Sequence, residues 1–500
     1  MSTTFRSPGL VVQTVRRNVS QDAVVVVPGI MGSVLKGPNG VLWGFRLGSY
    51  ARLWSRSGSS LNALALSEDQ LGRLTDEARE LTTDEIDGRF DHVAATGLLK
   101  LPAYAPFLHG FEPYDSLIQR VGRCVAHPDA ILEFAYDWRL PVAYNARRLA
   151  VKAADHLQRW RAHPDHEAVR RLRPDGRPAR LVFVAHSMGG LLCRALERDG
   201  EHHLDIRATI TLGTPFDGAV KAAMILSRGE YAPVPLPRQR LHAMATTLPG
   251  IHDLLPCYRC VEQDDDGDPR RLTPTDVAEF GGHEQLAAKA FAFHQRTSPL
   301  QLVNHHALVG TAQPTLQSLS LRDGLVIPHR HTFQLHTDEG FVREGSGVLV
   351  RIDDGGDGTV PRSSATLGGL RPSTLPQQHG SLARASEAVQ LVCDVITERD
   401  AGAPRLGEGE LGLEIPDVVA PGTQWSAVVS GVDSPNGATC LITDAQGRQI
   451  DRPRLQRCDG RWQAAIVLPD PGIFRVIVEG GGTSAITQLV LAHDDGSPDD

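Results

Sequence analysis

The stretch Leu181-Val-Phe-Val-Ala-His-Ser187-Met-Gly-Gly190, followed by Leu191-Leu-Cys-Arg-Ala-Leu196, constrains the fold more than any other part of the chain. An apolar run of strand length passes through a turn of small residues directly into an apolar helical stretch, so the backbone must reverse sharply at Ser187. Strand and helix approach each other closely at such a turn, and the residue between them is held in a strained conformation. Positions two before and two after must therefore lack bulk. Ala185 and Gly189 meet that demand, and the pattern fits a nucleophile elbow with alanine in place of the first glycine. The helix then aims its N-terminus at the serine, where the Met188 N–H can meet developing negative charge.

Around this element, from Ala23 to about Asp400, short β-branched runs alternate with helical stretches, which predicts a mostly parallel sheet flanked by helices. The candidate strands are Ala23–Val27, Ile131–Tyr136, Arg180–Ala185, Ala208–Leu212, Ala307–Gly310 and Val348–Ile352. Between Ala143 and Trp160, apolar residues at three- and four-residue steps (Leu149, Ala150, Ala153, Ala154, Leu157, Trp160) mark an amphipathic crossover helix. A chain of 500 residues exceeds the roughly 250–300 that one core serves, so more than one domain is expected. The Gly-, Pro- and charge-rich segment Asp400–Glu410 reads as a linker, and the turn-punctuated short strands beyond it predict an all-β, immunoglobulin-like sandwich. The expected division is an N-terminal extension (1–20), a catalytic domain with lid-like insertions (21–400), a linker (401–410), the sandwich (411–493) and an acidic tail (494–500). Glu230–Pro237 and Asp264–Arg270 are the candidate insertions.

The net charge of −8, without a basic stripe, argues against a nucleic-acid partner. No run approaches the roughly 18–20 apolar residues that span a bilayer, and the first twenty residues lack the apolar core of a secretory signal. A cytoplasmic location is the expectation. The seven cysteines are widely spaced and odd in number, which fits reduced thiols. Whether Cys440 and Cys458 pair is left open at this stage. Cys257-x-x-Cys260 stands without a second ligand pair, and no metal or cofactor is expected.

A serine hydroxyl becomes a competent nucleophile when a histidine takes its proton and a carboxylate orients that histidine. In this type of fold the chain order is serine, acid, histidine. Candidate acids are Asp353, Asp354 and Asp357, in a Gly-rich loop that lacks the later bidentate glutamate of a calcium-binding loop. A candidate base is His379, in the polar loop Gln377-Gln-His379-Gly-Ser; His305, His306, His329 and His331 are rivals. The Gly-rich bend Val27-Pro-Gly-Ile30-Met-Gly-Ser33 after the first strand is where a second oxyanion donor, the Ile30 N–H, is expected.

Five ordered segments together resemble the motifs of the lecithin:cholesterol acyltransferase family, which includes lysosomal-type phospholipase A2 relatives and bacterial lipase/acyltransferases. They are Pro28-Gly-Ile-Met-Gly-Ser33, Tyr136-Asp-Trp-Arg139, Ala185-His-Ser-Met-Gly189, Gly213-Thr-Pro-Phe-Asp-Gly218 and Gly356-Asp-Gly-Thr-Val-Pro361, and the resemblance covers roughly Ala23 to Thr397. It implies an α/β-hydrolase fold with Ser187 as nucleophile, Asp357 as acid, His379 as base, and Ile30 and Met188 lining the oxyanion hole. It also implies a lipid ester substrate whose acyl group passes through the enzyme to water or an alcohol. Secreted members carry a disulfide-closed lid near the N-terminus, whereas here no cysteine precedes Cys124. Met31, Trp43 and Trp54 are candidate acyl-chain contacts, and Tyr136–Arg139 is expected to be structural.

The last domain has no counterpart in the family pattern. A protein partner for it, or peripheral membrane contact, is left open. Two other readings stand beside the lipid enzyme: an esterase or amidase for a non-lipid substrate, and a catalytically silent scaffold. The presence of all three candidate triad residues weighs against the scaffold.

Overall fold

A computed structural model describes residues 19–44, 63–76, 93–100, 103–105, 109–111, 114–173, 175–196, 204–227, 238–263, 267–336, 340–368, 371–399, 411–480 and 485–493. Residues 1–18 of the N-terminal extension, the linker, the acidic tail, Trp54, the insertion Glu230–Pro237 and the first part of Asp264–Arg270 lie outside the described residues.

The alternating pattern produces a six-stranded sheet. Its strands are β1 (Ala23–Val27), β2 (Ile131–Glu133), β3 (Leu181–His186), β4 (Ile206–Leu212), β5 (His305–Thr311) and β6 (Ser373–Pro376). They lie in the order β6-β5-β4-β3-β1-β2, and every neighbouring pair is parallel. Every side chain of β1 and β3 is buried, which is why both read as unbroken apolar runs rather than as alternating ones. The crossover helix α1 (Val142–Arg161) buries Leu149, Ala150, Ala153, Leu157 and Trp160, the stripe its spacing predicts. It packs on α2 (Met188–Leu196), which leaves β3 directly, while α3 (Val220–Leu226) follows β4 and α4 (Ser386–Thr397) closes the parallel-sheet part. This parallel, helix-covered sheet with a strand–turn–helix element in its middle is the α/β-hydrolase arrangement. Among the described residues no helix is long and apolar enough to cross a membrane.

One expected strand is misplaced. Within Val348–Ile352 only Arg351–Ile352 is extended, and it pairs antiparallel with Thr332–Phe333 in an exposed ribbon away from the main sheet. The sixth sheet strand is instead β6, four residues ending in Pro376, a residue tolerated there because β6 is an edge strand. Between β5 and the acidic loop the chain makes a long excursion, which includes the hairpin Ser318–Arg322/Leu325–His329 turning at Asp323-Gly324 with both φ positive (51° and 73°). It then returns to the sheet, because Asp357 bridges to Gln313 just past the end of β5.

Beyond residue 410 the strands are β7 (Gly412–Glu414), β8 (Val418–Val419), β9 (Gln424–Ser430), β10 (Ala438–Asp444), β11 (Gln449–Asp451), β12 (Gln456–Cys458), β13 (Arg461–Val467), β14 (Gly472–Gly480) and β15 (Ile486–Ala492). They form two sheets, β7-β9-β13-β12 and β8-β15-β14-β10-β11, antiparallel except for the β8–β15 pair. Lettered in chain order this is A-B-E-D against A′-G-F-C-C′, the immunoglobulin-like arrangement. Ala427, Val429, Ile442, Ala464, Ile466, Val476, Val478 and Val490 fill the space between the sheets. Val418, Ile473, Leu489 and Leu491 point the other way and join the core of the parallel-sheet part. The β14–β15 sheet is thus buried on both faces, which makes Ile473–Val478 an apolar run broken only by Arg475, itself buried with Nη1 donating to the carbonyls of Asp444 (3.0 Å) and Ala445 (3.1 Å). All seven cysteines are free thiols; Cys440 is buried on β10 and Cys458 is exposed on β12.

At the end of the sheet opposite the serine turn, buried Asp22 gathers the starts of three strands. Its carboxylate accepts from Arg177 Nη1 (2.6 Å) and Nη2 (2.9 Å), Arg207 Nε (2.5 Å) and the Arg180 amide (2.9 Å). Burial pushes the carboxyl pKa up, but the Arg177 hydrogen bonds and the charges of Arg207 and Arg177 outweigh it, so the group sits below its ordinary 3.8. Asp22→Ala removes the buried carboxylate shared by Arg177 and Arg207 and leaves them only the more exposed Glu398, with Asp175 for Arg177, so it is expected to lower the unfolding free energy by roughly 3 kcal/mol at pH 7, measured by urea denaturation. Because the folded pKa is depressed, this contribution is fully present above the unfolded value near 3.8 and is lost as pH falls through the folded value. The gap between wild type and variant therefore narrows in acid; a deficit equally large at the lowest pH that keeps both folded would contradict the assignment.

Candidate active site

Ser187 ends β3 with φ of 52°, the left-handed conformation that a one-residue passage from strand to helix requires. Its amide donates to the Leu212 carbonyl at 2.9 Å, so β4 holds the turn. A Cβ on Gly189 would lie 2.6 Å from the carbonyl oxygens of both Val27 and Pro28, which is why the first turn of α2 accepts no side chain where it passes the end of β1. The loop after β1 lies directly against the nucleophile position, since a Cβ on Gly29 would come within 2.8 Å of Ser187 Cβ.

His379 follows β6, and its Nε2 lies 2.8 Å from Ser187 Oγ. Its Nδ1 lies 2.7 Å from Asp357 Oδ2, while Asp357 Oδ1 accepts the amides of Thr359 (3.0 Å) and Val360 (2.7 Å). One carboxylate oxygen is thus fixed by its own loop and the other faces the imidazole. With an ionised Asp357, the proton resides on Nδ1 and the Nε2 lone pair faces the hydroxyl. All three side chains are buried, with 3%, 1% and 3% of Ser187, Asp357 and His379 exposed. Four of the rivals are engaged elsewhere. Asp353 accepts from Gln317 Nε2 and the Gly355 amide, His305 pairs with Thr211, and His329 and His331 face Glu262.

A second histidine, which the sequence analysis did not single out, completes the frame. His186 Nδ1 lies 2.8 Å from Tyr114 Oη, and its Nε2 lies 3.0 Å from the His379 carbonyl oxygen. Burial, and next the neighbouring His379, push its pKa down to about 3, so its imidazole is neutral. The His379 carbonyl can only accept, so the neutral His186 carries its proton on Nε2, and its bare Nδ1 accepts from the Tyr114 hydroxyl, whose oxygen in turn accepts the Gly29 amide at 3.0 Å. One chain of hydrogen bonds thereby joins the loop after β1 to the backbone of His379. His186 was readable from its place beside Ser187, whereas Tyr114 lies outside every motif and carries no local signal.

The Tyr136–Arg139 stretch supports the same loop from below. Tyr136 Oη donates to the Pro28 carbonyl (2.9 Å), the Tyr136 amide donates to Ser33 Oγ (3.1 Å), and Trp138 Nε1 donates to the Ser33 carbonyl (3.3 Å). Arg139 grips Asp137 in a two-pronged ion pair at 2.9 and 2.7 Å. Of the candidate acyl contacts, Met31 and Trp43 lie in this packed layer. They are 5% and 3% exposed, the Trp43 Nε1 donates to the Met31 carbonyl at 2.7 Å, and the Trp43 ring packs edge-on against Trp138. The buried Ile30 sits between Gly29, whose amide goes to Tyr114, and Gly32, whose amide goes to the Gly29 carbonyl. Met188 is the first residue of α2, where an amide has no intrahelical acceptor.

Among the described residues, one group of three has metal-ligand spacing: His127, Asp129 and His163, none of which belongs to this site. Both histidines accept backbone amides at Nδ1, from Asp129 and Asp165, so in the neutral rings the remaining nitrogen carries the proton. Burial, and next the Asp217 charge, push the Cys257 thiol up to about 12.

No match was found among curated proteins. Among solved structures, a chain in the crystal structure of the Tle4-Tli4 complex is similar at 16% identity and a TM-score of 0.46, covering 76% of this chain and 98% of that one. Bacillus licheniformis lipase BlEst2 in its propeptide form is similar at 14% identity and a TM-score of 0.29, covering 94% of this chain and 73% of that one. Residues 94–278 match the family described as Lecithin:cholesterol acyltransferase. That segment contains Tyr136–Arg139, Ala185–Gly189 and Gly213–Gly218, so the part of the chain that carries the serine turn is similar to the family its motifs resemble.

Proposed function

We propose that this protein is a serine-dependent lipid acyl hydrolase or acyltransferase. The observation that carries the reading is the buried line from Asp357 Oδ2 through His379 to Ser187 Oγ, with contacts of 2.7 and 2.8 Å, at the N-terminus of α2. The match of residues 94–278 supports lipid acyl chemistry in general over that of other esters.

In this reading His379 Nε2 takes the Ser187 proton as Oγ attacks the ester carbonyl, and Asp357 balances the imidazolium that forms. The tetrahedral oxyanion is met by the amides of Ile30 and Met188, the latter reinforced by the positive end of the α2 dipole. When the intermediate collapses, the C–O bond to the leaving alcohol breaks, and the alcohol leaves with the proton held on Nε2. The acyl group stays on Oγ until water or a second alcohol, deprotonated by the same nitrogen, attacks it. Water completes hydrolysis and an alcohol completes transfer. We take residues 21–400 as the catalytic unit and 411–493 as the sandwich unit.

Ser187→Ala is expected to abolish turnover of p-nitrophenyl esters and covalent labelling by a fluorophosphonate while leaving the unfolding temperature near wild type. Asp357→Asn is expected to keep the fold and lose about 10⁴-fold in kcat, because the amide stabilises the wrong tautomer of His379. Undiminished turnover in the alanine variant would remove the serine mechanism.

The lipid assignment has its own test, in which wild-type enzyme is offered acyl esters of increasing chain length, and then phospholipid vesicles with and without an added alcohol. Turnover should rise with acyl length, with acyl transfer detected by mass spectrometry. A preference for acetyl and butyryl esters over long chains would leave the mechanism standing and overturn the substrate class.

A further inference from the structure

The base loop follows β6, a four-residue edge strand that ends in proline, so the main sheet alone offers it a neighbour on one side only. The other side is filled by the sandwich. Gln378 Nε2 donates to the Leu413 carbonyl (3.0 Å) and to Gln313 Oε1 (2.9 Å). Gln313 Oε1 also accepts the Leu413 amide (3.1 Å), and its Nε2 donates to the carbonyls of Leu411 (3.1 Å) and Thr311 (3.2 Å). On the opposite sheet of the sandwich, Gln377 Nε2 donates to the Ala485 carbonyl (2.8 Å) while its Oε1 accepts the Thr487 amide (3.1 Å), and Ser381 Oγ donates to the Thr487 carbonyl (2.7 Å).

These bonds converge on both catalytic loops. Gln377, Gln378 and Ser381 bracket His379, whereas Gln313 reaches the acid loop through its amide, which donates to the Gly356 carbonyl at 3.0 Å. The His379 amide in turn donates to the Asp357 carbonyl at 2.8 Å. Residues 411–413 therefore bond to a glutamine beside the acid and a glutamine beside the base at once. Gln313, Gln377 and Gln378 are all buried, and a buried amide without partners is costly, so this end of the catalytic part is built to be covered. Lys221 on α3 lies in the same region. Burial pushes its pKa down to about 8, against the opposing attraction of Asp417 from the sandwich and of Asp357.

We propose that the immunoglobulin-like domain is a working part of the active site, clamping the acid and base loops in register with Ser187, with Gln313, Gln377 and Gln378 as positioning residues. The proposal rests on the Ser187–His379–Asp357 reading. Its physical basis is the steep dependence of proton transfer on distance: a shift of about 1 Å in a catalytic group lowers the rate on the order of 10²-fold. The docked sandwich acts through the placement of His379, without touching substrate.

The test uses the full-length protein with Gln378→Met and Gln377→Met, which keep side-chain length and remove the cross-domain bonds. Arg330→Ala serves as the interface control, because it removes only the exposed pair with Glu414. The readouts are kcat and KM on a soluble p-nitrophenyl ester, the rate of fluorophosphonate labelling, and the unfolding temperature. Both glutamine variants are expected to lose roughly 10–100-fold in kcat and labelling rate with KM within about twofold of wild type, at temperatures well below their unfolding, while Arg330→Ala keeps its kcat. Should a methionine variant fail to accumulate folded, Ser381→Ala, which removes one bond to Thr487, is expected to give a several-fold loss of kcat at unchanged KM. Wild-type kcat and labelling in the folded variants, with Ser187→Ala inactive, would reduce the sandwich to a stabilising appendage and overturn the proposal. Activity surviving in Ser187→Ala would overturn the underlying triad reading instead.

Discussion

Ser187 occupies a left-handed backbone conformation because β3 must become α2 across a single residue, and the surroundings are arranged to bear that constraint. A strained, non-glycine residue persists only where neighbouring structure over-determines it. Here the Leu212 carbonyl holds its amide, the end of β1 presses on Gly189, and the loop after β1 closes over the side chain. The same packing that enforces the strain exposes one amide of a helix start and one hydroxyl to a common point. Geometry useful for acyl chemistry is a by-product of the reversal itself.

The loop after β1 cannot hold its place through ladder hydrogen bonds, since it has left the sheet. It is held instead by side chains from remote segments: Tyr114 above, Tyr136 and Trp138 below, with Trp43 and the Asp137–Arg139 pair filling behind. Each of these polar groups is buried and bonded, and each would be expensive if left unpaired. The layer therefore has few low-energy alternatives, which is the property a site needs when its donors must already face the charge that develops. Trp43 illustrates the consequence. An aromatic residue in a region that resembles a lid invites a reading as an acyl contact, yet its indole N–H is committed to the Met31 carbonyl and its ring to Trp138.

Legibility followed burial on two faces and failed where long-range geometry intervened. β1 and β3 were readable because strands covered on both sides become uninterrupted apolar runs, β4 because the β-branched Thr209, Ile210 and Thr211 favour a strand, and the serine turn because its small residues are a steric requirement of the local chain. Val348–Ile352 resembles a strand preceding an acid, but the position of Asp357 is set by the Gln313 bridge beyond β5, some forty residues earlier in the chain. β6 escaped notice because four residues ending in proline carry almost no periodicity. Among the acids, local sequence left Asp353, Asp354 and Asp357 equivalent, and only the family resemblance distinguished them. Tyr114, Gln313, Gln377 and Gln378 gave no signal, since a polar residue in a loop is ordinary until the fold brings a backbone group opposite it.

A histidine placed after the last, edge strand of a sheet presents a general mechanical problem. The strand has one neighbour, so the loop beyond it inherits half the restraint available to a central strand, while the proposed proton transfer from serine demands more restraint than average. In this chain the free side is met by β7 and β15, whose backbone groups pair with glutamine side chains where a further sheet strand would otherwise supply main-chain partners. The outward face of β14 and β15 adds apolar contact: Ile473, Leu489 and Leu491 are buried in the core of the parallel-sheet part, so the sandwich is bound by hydrophobic surface as well as by directional bonds. Apolar contact alone would hold the two parts together with freedom to slide. The glutamine bonds add direction to it, and direction is what a loop carrying His379 requires.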